Sequence, residues 1–129
     1  MSNIELPLCN DAMQISPSLN VKDMKRFLSY LVGEHDFVGF QSSGSPTDTT
    51  TRKIYSAKLI RHGIYLDLLI TGNGFLYKMV RNIVGTMLMV GEGKISLDEI
   101  KSSLFTTFKA TKAAKPEFLY LYNVEYENK

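Results

Sequence analysis

Between Gly72 and Gly91, apolar residues recur at the spacing of an α-helix: Leu76, Met79, Val80, Ile83, Val84, Met87 and Leu88. Seven such positions form one broad apolar face, wide enough for the main core helix of a small domain. Gly72-Asn73-Gly74 opens the stretch and Gly91-Glu92-Gly93 closes it. The other face carries Lys78, Arg81, Asn82, Gly85 and Met89. A glycine within a helix costs roughly 1 kcal/mol relative to alanine, which is tolerable where another backbone comes close. Arg81 and Asn82 lie one turn before Gly85. A guanidinium there offers a fork of donors matched to a carboxylate or phosphate. Arginine and lysine on an apolar helix ordinarily snorkel to solvent, and periodicity alone does not choose between these roles. Lys78, Arg81 and Asn82 also interrupt the apolar run, so it falls short of the roughly 20 residues a membrane span needs.

A chain of 129 residues is one domain with room for a real core. With 44% hydrophobic and 22% charged residues, nothing in the composition argues for disorder. A net charge of +2 neither demands nor excludes nucleic acid, so the positions of the basic residues matter more than their sum. Cys9 is the single cysteine, which rules out an intramolecular disulfide and fits a reducing cytosol. One cysteine and two histidines make no credible zinc site. The first residues, with Glu5 and Pro7, do not read as a signal peptide.

Along the chain, residues 1–17 read as an extended N-terminal segment with a short strand at Ile4–Leu8, and 18–129 as a single domain. Ser18 or Asn20 caps a helix running to about Val32, with Val21, Met24, Phe27, Leu28 and Leu31 on one face and Gly33 as its stop. His35 beside Asp36 invites an acid–base reading. Adjacent residues do not face each other, however, so His35 is expected to bond a turn that Phe37 and Phe40 anchor. The segment from Gln41 to Thr51 is a polar loop. Ile54–Arg61 and Tyr65–Ile70 read as a hairpin joined at His62-Gly63. Ser96 followed by Glu99 fits a capping box for a helix to about Leu104. A loop bearing Lys109, Lys112 and Lys115 follows, and then a last strand at Pro116–Tyr126. The expected fold class is α/β (α+β): a mostly antiparallel sheet with helices on one face and a Gly74–Val90 helix at its centre.

Phe75-Leu76-Tyr77-Lys78-Met79-Val80-Arg81-Asn82-Ile83-Val84-Gly85 closely resembles the F-L-x-x-M-V-R-N-I-V-G signature of the TruA family of tRNA pseudouridine synthases. Leu31-Val32-Gly33-Glu34-His35-Asp36-Phe37-Val38-Gly39-Phe40 resembles that family's L-x-G-x-H-D-F-x-x-F segment. Thr50-Thr51-Arg52-Lys53-Ile54 is similar to its T-x-R-x-I pattern, and Pro116–Tyr126 to its A-P-x-x-L-x-L-x-x-V-x-Y ending. Phe118 stands where the family usually has glycine.

This resemblance covers about Leu19–Tyr126 and implies the C-terminal half of such an enzyme. It implies a pseudouridine synthase-like C-terminal domain acting on tRNA, in the anticodon stem-loop, with no cofactor and no metal. Arg81 is then the partner of a catalytic aspartate, Leu119 a wall of the same pocket, and Arg52, Lys78, Asn82, Lys109 and Lys112 the RNA-binding residues. The family's aspartate lies in an R-T-D-x-G-V-type motif of the N-terminal half. Asp11, Asp23, Asp36, Asp48, Asp67 and Asp98 all lack that context. The chain alone is therefore expected to be inactive and to work with an N-terminal half of the same enzyme, as a cytoplasmic homodimer without membrane contact. The alternative is a non-catalytic RNA-binding or dimerisation domain.

Overall fold

A computed structural model describes residues 2–7, 19–41, 49–62, 65–76, 78–110 and 123–125. In chain order these form β1 (Ser2–Pro7), α1 (Val21–Leu31), β2 (Gly33–Asp36), a 3-10 turn (Val38–Phe40), β3 (Thr51–His62), β4 (Tyr65–Gly72), α2 (Met79–Gly91), α3 (Leu97–Ser103) and β5 (Asn123–Glu125). The strands make one antiparallel sheet in the order β2-β3-β4-β1-β5. The α+β class expected from sequence is the class observed.

Period-2 patterning sets the hairpin of β3 and β4. Leu66, Leu68 and Ile70 of β4 are buried, as are Ile54 and Leu59 of β3. Asp67, Leu69 and Thr71 between them are half-buried, while Tyr55, Lys58 and Ile60 are exposed. Pairing runs from Ile54↔Gly72 to His62↔Tyr65, with a bulge between Ile54 and Ser56. A bulge adds one residue to one strand and re-aims a side chain. Here the extra residue is Tyr55, whose ring has the Lys53 ammonium 5.6 Å from its centroid.

The core lies between the buried face of this hairpin and the helices. Met24, Phe27, Leu28 and Leu31 of α1, with Met79, Ile83, Val84, Met87 and Val90 of α2, join the strand residues in one cluster. α1 begins where the sequence places it: the Asn20 side chain accepts a hydrogen bond from the Asp23 amide at 3.0 Å. It also crosses α2 closely. A Cβ on Gly91 would stand 2.5 Å from Met24 Sδ, and the Asn20 amide donates to the Gly91 carbonyl at 2.8 Å. α2 closes over Gly93, which takes the left-handed conformation (φ +77°) common just past a helix end.

Three details differ from the sequence expectation. α2 begins at Met79, not near Gly74, because Asn73 is bonded to β3 and Lys78 is left-handed (φ 57°, ψ 14°). The segment read as a loop around His35 contains an edge strand, β2, paired from Gly33↔Ile54 to Asp36↔Thr51. Ser96 occupies the N-cap of α3, but its side chain makes no capping hydrogen bond. Of the last strand, the described part is Asn123–Glu125, paired with β1.

Candidate active site

The start of α2 is the hub to which the candidate residues connect. After Gly72, the chain is held against β3 by two reciprocal hydrogen bonds. The Asn73 amide donates to the Lys53 carbonyl at 2.9 Å, and the Lys53 amide donates to Asn73 Oδ1 at 2.9 Å. Gly72 and Gly74 make this approach possible. A Cβ on Gly72 would stand 2.8 Å from the Lys53 carbonyl oxygen, and Gly74 has φ +155°. Phe75 and Leu76 then turn into the core, Leu76 almost completely. Lys78 is the one non-glycine residue with positive φ among the described residues. Such a conformation costs an ordinary side chain roughly 1–2 kcal/mol, and strain of this kind concentrates at functional sites.

Arg52 lies beside this loop. Its Nε would be 3.6 Å from a Cβ on Gly74, while one terminal nitrogen donates to the carbonyls of Thr49 (2.9 Å) and Thr51 (2.8 Å). From Gly74 to Lys78 the backbone spans at most about 14 Å. Lys78 therefore starts its helix within about 14 Å of Gly74, which Arg52 borders. Arg81, half-buried, follows in the first turn of α2.

Asn82 is turned the other way. It is 8% exposed and its amide nitrogen donates to the Phe40 carbonyl at 2.7 Å. That bond fixes α2 to the 3-10 turn, so the geometry gives Asn82 a tie within the protein. The same turn receives the segment after α3. The Ala110 amide donates to the Gly39 carbonyl at 2.8 Å, and a Cβ on Gly39 would collide with the Phe108 carbonyl oxygen. Lys109, exposed, is thereby held next to the turn that Asn82 grips. Backbone and neighbouring contacts relate these residues: Arg52 borders Gly74, Lys78 and Arg81 stand at the start of α2, and Lys109 adjoins the Gly39-Phe40 turn that Asn82 grips. Lys112 and Leu119 lie outside the described residues.

His35 serves the turn. A carbonyl only accepts, so its Nε2–H donates to Val32 O at 3.0 Å. The ring stacks on Phe105 at 3.9 Å and meets Phe37 edge-on. Asp36 Oδ1 accepts from the Val38 amide and the Thr50 hydroxyl. His35 bonds the turn as expected from sequence, and Asp36 is engaged with the Val38 amide and the Thr50 hydroxyl. No cluster of three potential metal-ligating His, Cys, Asp or Glu residues occurs among the described residues, and no helix described is long and apolar enough to cross a membrane.

The family model for tRNA pseudouridine synthase matches residues 28–127. The chain belongs to the tRNA pseudouridine synthase family. Its relatives place it in the TruA branch. A tRNA pseudouridine synthase A from Thermoanaerobacter sp. is 42% identical over 119 residues, covering 91% of this chain and 49% of the relative. The one from Bacillus subtilis is 42% identical over 119 residues, covering 91% and 48%. That from Lactococcus lactis is 44% identical over 115 residues, covering 84% and 44%. The chain spans about half the length of these relatives. The loop before α2 contains one group that motif reading did not single out, Asn73. Its signal was a small polar residue between two glycines, and its partner lies on another strand.

Proposed function

We propose that this chain is the C-terminal half of a tRNA pseudouridine synthase active site, contributing Arg81 and an RNA-facing surface. The observation that carries this reading is the position of Arg81: half-buried, in the first turn of α2, just past a strained Lys78 and a loop bonded to β3. The reaction isomerises a uridine. The bond from ribose C1′ to N1 breaks, the base turns, a bond from C1′ to C5 forms, the C5 hydrogen leaves as a proton, and N1 takes up a proton. A carboxylate acts on the sugar or base as nucleophile or proton acceptor. It must stay ionised in a site that excludes water, and a guanidinium beside it favours that form. Arg81 supplies the guanidinium, and the aspartate comes from an N-terminal half of the same enzyme.

Arg52, Lys78, Lys109 and Lys112 contact the RNA backbone of the anticodon stem-loop, where Coulomb attraction is strong and salt-dependent. Leu119 lines the base pocket. Asn82 acts on RNA only through the placement of α2. The target base leaves its stack at a cost of a few kcal/mol. The enzyme works in the cytoplasm as a homodimer without cofactor or metal.

Tritium release from tRNA labelled at uracil C5 tests this. The chain alone should release none, and the chain mixed with the N-terminal half of a TruA relative should release tritium. Arg81→Ala should nearly abolish release in the mixture while tRNA binding survives. A large loss of binding with turnover per bound tRNA intact would overturn the assignment of Arg81 and leave an RNA-binding domain.

A further inference from the structure

We infer that Asn73 is a positioning residue for Arg81 and Arg52, locking the start of α2 to the start of β3 so that the two guanidinium groups act as one unit. The inference rests on the reading of Arg81 as the partner of a catalytic carboxylate. The two cations come from elements far apart in sequence, and Gly72-Asn73-Gly74, which meet β3 beside Arg52, lead along the chain to the start of α2. Asn73 is the residue of that loop that bonds back to β3 with both its main chain and its side chain. The contact falls on Lys53, next to Arg52 in the chain. On the other side, Gly74 borders the Arg52 guanidinium stem. The bulge at Tyr55 begins two residues later and interrupts regular pairing between β3 and β4. The β3–β4 register begins at Ile54↔Gly72, so on the β4 side Arg52 and Lys53 lie beyond it, and there the Asn73 carboxamide accepts from the Lys53 amide. The side chain contributes only an acceptor to this bond, so an isosteric carboxylate can replace it and a methyl group cannot.

The test is a double-mutant cycle in the assembled enzyme, this chain with the N-terminal half of a TruA relative, read by single-turnover tritium release and by tRNA binding. Asn73→Ala should slow release about ten- to a hundredfold, the scale of a misplaced group in a pre-organised site. Asn73→Asp should restore most of it. In an Arg81→Ala background, Asn73→Ala should have no further effect on release, because residues acting as a unit are not additive. Asn20→Ala, which loosens the start of α1 instead, should leave release at the wild-type rate. Wild-type release from folded Asn73→Ala, or a loss that adds fully to that of Arg81→Ala, overturns the inference. If Asn73→Ala does not fold, Asn73→Ser, too short to span the gap, takes its place with the same expectations. Should Arg81→Ala itself release tritium normally, the reading of Arg81 fails. The positioning claim then stands or falls on Arg52 alone, through whether Asn73→Ala weakens tRNA binding and Asn73→Asp restores it.

Discussion

The two long helices are neighbours of similar length, 11 residues in α1 and 13 in α2, yet they begin in opposite ways. α1 starts with a side-chain cap from Asn20 and carries Asp23 in its first turn, both favourable at the positive end of a helix. α2 starts with no side-chain cap, a left-handed Lys78, and no acidic residue in its first turn. A cation, Arg81, occupies that turn. Each choice at the start of α2 is less stable than its counterpart in α1. The stability of α2 comes from its apolar stripe, buried from Met79 to Val90. A helix anchored so well along its length can carry an unfavourable start, and that start is where a charge can be offered to a ligand.

The contrast can be broken by substitution. The largest expected effect is on turnover. Arg81→Ala in the assembled enzyme should cost roughly 10²- to 10³-fold in tritium release, the scale of removing one partner of a desolvated ion pair. Loss of less than tenfold would make the start of α2 an ordinary frayed helix end. Next is Asn82→Leu, which deletes the donor to the Phe40 carbonyl. It should lower stability by about 1–3 kcal/mol, visible as an earlier denaturant midpoint. An unchanged midpoint would mean that the tie between α2 and the 3-10 turn contributes nothing. Asn20→Ala should cost about 1 kcal/mol and leave catalysis alone, marking α1 as purely structural. The smallest effect is Lys78→Gly. Relief of the left-handed side chain should outweigh the flexibility that glycine adds to the unfolded chain, raising stability by about 0.5 kcal/mol. A clear destabilisation would show that Lys78 contributes contacts worth more than its strain.

Much of the fold was legible because it is periodic. The α1 face, the alternation in β4 and the stripe of α2 each repeat over several turns or pleats, and burial follows the repeat. The exact start of α2 was not legible. Leu76 falls in register with the helical stripe, yet it reaches the core from a non-helical loop, so periodicity carried the helix too far back. β2 was missed because four residues including His35 and Asp36 show no alternating pattern, and their pairing with Thr51–Ile54 is non-local. The site divides in the same way. Arg81 is proposed from its ungapped signature, whereas the sequence grouped Asn82 with the RNA-binding residues and the fold buries its amide against Phe40. Asn73 escaped notice because its role exists only once Lys53, from the neighbouring strand, is beside it.

The sheet order has a consequence for how the molecule assembles. β3 and β4 are antiparallel partners only two residues apart in the chain and can zip as soon as both exist. β1, however, pairs through Ser2 with Gly72 and through Asn3 with Glu125. β1 therefore waits for β4, about 60 residues on, and β5 waits for β1; closing those long loops costs entropy before any contact repays it. A hairpin with its two helices should form first, with β1 and β5 added as a late, separable step. In hydrogen exchange, the amides of β3, β4 and α2 should then protect as one early block, those of β1 should follow as it docks on β4, and those of β5 should come last because β5 pairs with β1.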